Sequence, residues 1–136
     1  MRAVRVPEPG DPDQMTIGEV PTPVPGPEEV RVQVHATALN RADTFQRRGR
    51  YPPPEGASSI LGLEMAGAVV ASCDDVLDWH EGDRVCSLLA GGGSPEHTVV
   101  HKVLFRAVPP GLTLTYAAAL PAVFPSAHQV LHCLVA

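Results

Sequence analysis

The sequence predicts a mainly β chain folded as a small barrel or sandwich, and three observations carry that prediction. Fifteen prolines and twelve glycines are scattered through 136 residues, so densely that long helices are excluded from most of the chain. Between these breaks lie seven short apolar runs, the clearest with the period of two that turns one face of a strand inward. A content of 44% hydrophobic against 18% charged residues is enough for one domain with a genuine core.

Met1 to Val6 and Met15 to Val20 are the first two strands, each closed by Gly, Pro or Asp. In Glu29 to Ala36, Val30, Val32 and Val34 alternate with Arg31, Gln33 and His35, the signature of a half-buried strand. An irregular crossing follows. Asn40 can cap a short helical turn that Gly49 ends, and Pro52 to Pro54 force an extended exit. Further strands are expected at Met65 to Ala71, Arg84 to Leu89, Glu96 to Val100 and Leu104 to Val108, with Gly91 to Gly93 as a flexible turn between strands. After Pro109-Pro110-Gly111 the character changes. Thr113 or Thr115 can cap an Ala-rich helix ending near Leu120, before Pro121. A second helix is expected to start near Pro125, where Ala127, Val130, Leu131 and Leu134 recur at i, i+3, i+4 and i+7, a stripe that must face a packed surface. The chain stops within this stripe, which reads as truncation of a longer protein.

A net charge of −5 argues against nucleic acid or an anionic membrane as partner, since both demand clustered Lys and Arg. The basic group Arg47, Arg48 and Arg50 is only local. Cys73, Cys86 and Cys133 are odd in number and widely spaced, giving neither a disulfide framework nor a paired C-x-x-C metal site. The opening Met1-Arg2-Ala3-Val4-Arg5-Val6-Pro7 lacks the apolar stretch of a signal peptide, and no segment approaches the roughly 18 apolar residues that cross a bilayer. A cytoplasmic protein in a reducing compartment is the expectation.

Four ordered motifs then stand out: Ala38-Leu39-Asn40-Arg41-Ala42-Asp43, Gly62-Leu63-Glu64 with Gly67, Gly82-Asp83-Arg84-Val85, and Leu112-Thr113-Leu114-Thr115 running into Ala117-Ala118-Ala119-Leu120-Pro121. Together they resemble the zinc-free quinone oxidoreductases of the medium-chain dehydrogenase/reductase superfamily. The likeness looks closest to the p53-inducible quinone oxidoreductase-like subgroup. It implies a GroES-like, partly open β-barrel as a substrate and catalytic domain over residues 1–121. Residues 122–136 then correspond to the start of a linking helix toward a Rossmann domain, absent here, that binds NADPH. The family's dimers, built through that domain, imply a homo-oligomer for a full-length protein. No glycine cluster in this chain provides G-x-G-x-x-G between a strand and a helix.

Hydride transfer from nicotinamide to a quinone needs no metal if hydrogen-bond donors meet the oxygen as charge develops on it. Asn40 and Tyr51 are the candidate donors, one through an amide and one through a phenol, and by resemblance both line the family's cleft and Asn40 also meets the cofactor. Asn40 has an alternative role as a helix cap, and Tyr51 as an amphipathic plug on a turn. Arg41 and Asp43 are expected to pair or to bond loop backbone, supporting the cleft. Where zinc-dependent cousins carry a Cys and a His, this chain has Asn40 and Leu63. Glu64 alone remains of that set, too few ligands for a catalytic zinc, and is expected to be a buried hydrogen-bonding acid. Ser126 matches a position near the nicotinamide carboxamide, with helix capping as its alternative and Phe124-Pro125 a departure that could displace it. His128-Gln129-Val130-Leu131-His132 lacks the glutamate of H-E-x-x-H and reads as surface or interface histidines. His97 and His101 read as a solvated stripe on a strand, and the cysteines as small apolar residues.

The resemblance thus implies the catalytic-domain part of an NADPH-dependent quinone or enone oxidoreductase, inactive as an isolated chain because nothing holds the dinucleotide in register. An enoyl-thioester reductase domain uses the same scaffold. From a different class, a stand-alone GroES-like binding module without turnover is the competing expectation.

Overall fold

The computed structural model describes residues 1–134, and every strand predicted from the sequence is present within a residue or two. Strands β1 (Arg2–Arg5) and β2 (Thr16–Glu19) form a two-stranded antiparallel sheet. Strands β3 (Glu29–Thr37), β4 (Glu64–Ser72), β5 (Arg84–Leu88), β6 (His97–His101) and β7 (Phe105–Ala107) form a second, ordered β6-β3-β4-β5-β7 and antiparallel at every pairing. The two sheets are not closed into a barrel. Among the described residues no parallel βαβ unit, the element of a Rossmann domain, occurs.

The large sheet has two unlike faces because successive strand residues point opposite ways. Met65 and Val85 enter one cluster with Val30, Val32, Val69 and Phe105. Their neighbours Ala66 and Cys86 enter the other with Val108, Ala117 and Ala118. The first face is filled by bulky side chains and closed at its rim by Trp79, whose ring meets Phe105 edge-on at 5.6 Å while its indole N–H donates to Lys102 O. The second is lined by small residues so that helix α2 (Leu114–Ala117) can sit close, capped by Thr113 Oγ1. Full burial of a side chain such as Met65 or Val85 stabilises by about 1.5–3 kcal/mol, so the first face carries most of the apolar gain.

Gly67 is required at the centre of this sheet, since a Cβ there would collide with the carbonyl oxygen of Gln33. Opposite it β3 bulges: Val34 pairs with Gly67 and Ala36 with Ala66, leaving His35 as the extra residue. A bulge bends its strand and raises the local twist. Here it steers the end of β3, and with it Thr37 and Asn40, toward the first residue of β4.

Several expectations need correction. The glycines Gly91 to Gly93 are not a flexible turn. Gly92 and Gly93 N–H donate to Ile60 and Gly62 O, Ser94 N–H donates to Leu61 O, and the backbones pass so closely that a Cβ on Gly62 would lie 2.6 Å from Ser94 N. Helix α3 spans Val123–Gln129, two residues earlier than its proline implied, because Pro125 falls in the first turn, where a missing N–H costs nothing. A π-helical turn over Val130–Leu134 continues it. Val130, Leu131 and Leu134 face solvent rather than a packed surface of this chain. His97 and His101 are half-buried rather than a solvated stripe, with the Nδ1 of His97 enclosed.

Candidate functional site

Asn40 follows the bulged end of β3 and stands at the N-cap of α1 (Arg41–Arg47). Asp43, in the first turn of that helix, is buried and accepts the Asn40 backbone N–H with Oδ2 at 2.7 Å, satisfying an orphan donor and placing negative charge at the positive end of the helix. Asp43 therefore acts on backbone. Arg41 does not pair with it; its guanidinium lies over the ring of Phe45, 5.4 Å from the centroid.

Glu64 opens β4 and is 1% exposed. Its Oε1 accepts from Asn40 Nδ2 at 2.7 Å, its Oε2 accepts from the Ala122 backbone N–H at 2.9 Å, and its carbonyl oxygen accepts from Thr37 Oγ1 at 2.7 Å. A buried carboxylate is tolerable only when hydrogen bonds replace its lost hydration, and the Asn40 amide and the Ala122 N–H, one on each oxygen, do so. The expectation of a buried hydrogen-bonding acid holds, and Asn40 and Glu64, 24 residues apart, are in direct contact.

Tyr51 lies elsewhere. Gly49, at φ +71°, ends α1 with its N–H on Gln46 O, Arg50 N–H closes onto Phe45 O, and Tyr51 follows, half-exposed, with no hydrogen bond to its hydroxyl among the described residues. Asn40 and Tyr51 therefore flank the two ends of a helix about 10 Å long. Ser126 does not cap α3; its hydroxyl donates to Ala122 O, one turn back, at 2.9 Å on an exposed face. The rings of His128 and His132 lie 4.8 Å apart on an exposed face, as their spacing implied.

Two contributors were not singled out from the sequence, Thr37 and Ala122. Arg47 is buried while Arg48 and Arg50 are exposed, so the basic trio is not one patch. The i, i+4 spacing of Asp43 and Arg47 was the available signal that both share the inner face of α1. Ala122 takes part through its backbone alone, which no side-chain pattern reveals.

Beyond Ala122, α3 forms one wall of a mostly apolar cavity of about 890 Å³, lined among others by Leu88, Leu104, Pro121, Phe124 and His128. Cys86, also on this cavity, has its thiol pKa pushed up by burial, with nearby Arg106 opposing the shift and Glu64 adding to it. Among the described residues no cluster of three or more His, Cys, Asp and Glu side chains is gathered, and no helix is long and apolar enough to cross a membrane.

The sequence profile of the alcohol dehydrogenase GroES-like domain matches residues 26–120. The chain belongs to this family. It is 38% identical over 100 residues to the trans-enoyl reductase tndF of Aspergillus flavipes, covering 71% of this chain and 28% of the relative. It is 35% identical over 114 residues to the mouse quinone oxidoreductase-like protein 2, covering 83% and 32%. The structure of Escherichia coli quinone oxidoreductase complexed with NADPH superimposes with a TM-score of 0.84 at 25% identity, over 98% of this chain and 40% of that one. The chain thus spans about a third or less of the length of these two curated relatives, and 3% of the erythronolide synthase of Saccharopolyspora erythraea, which is 39% identical over 104 residues. These matches place the chain with the GroES-like domains of medium-chain oxidoreductases.

NADPH does not fit within the described residues alone. In the glycine cluster Gly91 to Gly93 the amides of Gly92 and Gly93 are tied into backbone hydrogen bonds, and the cluster runs into β6 (His97–His101) instead of opening onto a helix N-terminus where phosphates could bind.

Proposed function

We propose that this chain is the substrate-side domain, over residues 1–121, of an NADPH-dependent quinone or enone reductase working without zinc, of the p53-inducible quinone oxidoreductase-like subgroup. Residues 122–136 would lead toward the nucleotide-binding domain. The observation that carries this reading is the Asn40–Glu64 contact. The buried carboxylate engages one N–H of the Asn40 amide, which leaves the second to meet a substrate oxygen as it gains negative charge. Tyr51, uncommitted and half-exposed at the far end of α1, is the second donor. Arg41, Asp43 and Glu64 support the loop, and Ser126 is the candidate contact to the nicotinamide end. Reduced nicotinamide would supply the hydride, held by a nucleotide-binding domain. Its site near Asn40 offers one carboxylate and an amide, a poor donor set for zinc.

The likeness to a trans-enoyl reductase favours a second reading, in which the acceptor is an α,β-unsaturated thioester. An assay of NADPH oxidation separates them. The chain joined to its nucleotide-binding domain should oxidise NADPH with a quinone, and Asn40→Ala should lower kcat by about 10²-fold, the usual effect of losing one oxyanion donor. Turnover confined to an enoyl thioester would transfer the reaction to the second reading. The isolated chain should show none. Folded, joined protein without either activity would leave a GroES-like interaction module as the surviving interpretation.

A further inference from the structure

We infer that Glu64 is a positioning residue that sets the Asn40 amide and the start of helix α3 through a single carboxylate, so that the substrate-orienting group and the wall of the apolar cavity are fixed together. This rests on the reading of Asn40 as the acceptor-orienting donor. A fully buried carboxylate is costly, and an apolar side chain of similar volume at the start of β4 would be no worse for folding alone. What Glu64 adds is geometry. A carboxylate only accepts, so it can face only the NH₂ end of the Asn40 amide, which forces the carbonyl end away and decides the flip of that side chain. Its other oxygen holds the N–H of Ala122, 58 residues on in sequence. Ala122 is the N-cap of α3 and no side chain caps that helix, so the Glu64 bond to the backbone N–H of Ala122 itself is what anchors the helix start. From there α3 carries Phe124 and His128 into the lining of the 890 Å³ cavity opposite Leu88 and Leu104. A substrate held against Asn40 and a chain continuing through α3 thus refer to the same two oxygen atoms.

The test is made on the isotopically labelled chain by NMR and needs no turnover. Scalar couplings across hydrogen bonds should link the Glu64 side-chain carbon to both the Asn40 side-chain nitrogen and the Ala122 backbone nitrogen. In Glu64→Gln a single acceptor oxygen and a new NH₂ replace two acceptors. The Asn40 side-chain resonances should therefore shift, and Ala122 N–H exchange should accelerate by about tenfold or more while the amides of β3 and β4 keep their protection. Couplings to neither or to only one nitrogen, or a folded Glu64→Gln chain with both Asn40 and Ala122 unchanged, would overturn the inference. Should Glu64→Gln fail to fold, the wild-type couplings decide. Failure of the reductase reading would show separately, as Asn40→Ala leaving kcat unaltered.

Discussion

The junction around Glu64 and the helix that leaves it carry similar apolar content and opposite burial. At the junction Met65, Ala66 and Glu64 are fully covered by residues of β3, β5 and α2. Past Ala122 the apolar residues Val123, Phe124, Val130, Leu131 and Leu134 are each more than half exposed. The start of β4 is a nearly continuous apolar run, while the helix shows its apolar residues at helical spacing. The difference lies in what covers them: the start of β4 has packed side chains on both faces, α2 among them, whereas the apolar residues of α3 meet no second surface among the described residues. Periodicity reports which face is apolar, not who packs on it.

The largest effect should come from breaking the covered side. Met65→Ala empties a fully buried position in the bulky face and should lower unfolding free energy by about 3 kcal/mol, read from the urea midpoint. A loss under about 1 kcal/mol would show a sheet far looser than the packing implies. A smaller loss, about 1 kcal/mol, is expected for Thr37→Val, which removes the hydroxyl donated to Glu64 O while keeping shape. Unchanged stability there would detach Thr37 from the junction.

Cysteine chemistry compares the covered and the exposed regions a second way. Cys86 is buried and Cys133 exposed, so a thiol reagent should label Cys133 at once and Cys86 only as the domain opens. The pKa of Cys86 is raised in the folded state, chiefly by burial. Its contribution to stability is therefore complete below the ordinary thiol pKa and is lost as pH rises through that value toward the folded one. Cys86→Ala should flatten the alkaline fall in stability; equal labelling rates for both thiols would contradict the burial.

The contrast also explains what was legible beforehand. Val30, Val32 and Val34, the stops at Pro and Gly, and a threonine-capped helix after Gly111 were readable because each is a local pattern with a local cause, although the choice between Thr113 and Thr115 and the early end at Ala117 were not. Asn40 at a helix start and Glu64 as a buried acid were also readable, each alone. Their bond was not, because it spans 24 residues and depends on the bulge at His35, which no residue type announces. The pinned backbone of Gly91 to Gly93 was missed for a related reason. Glycine permits both mobility and close backbone approach, and only the facing segment, here the irregular residues 58–62, decides between them.

The smallest effect is the one that sharpens the comparison most. Leu131→Gln replaces an exposed apolar residue with a polar one of comparable helix propensity. The isolated chain should keep its urea midpoint, with stability changed by no more than about 0.5 kcal/mol, because nothing in the described residues buries that side chain. A loss of 1 kcal/mol or more would mean that Leu131 is covered in solution. Repeating the titration at several protein concentrations then identifies the cover. A loss that grows with concentration belongs to self-association through the stripe, since dimer stability depends on mass action. One independent of concentration belongs to α3 folding back on its own sheet.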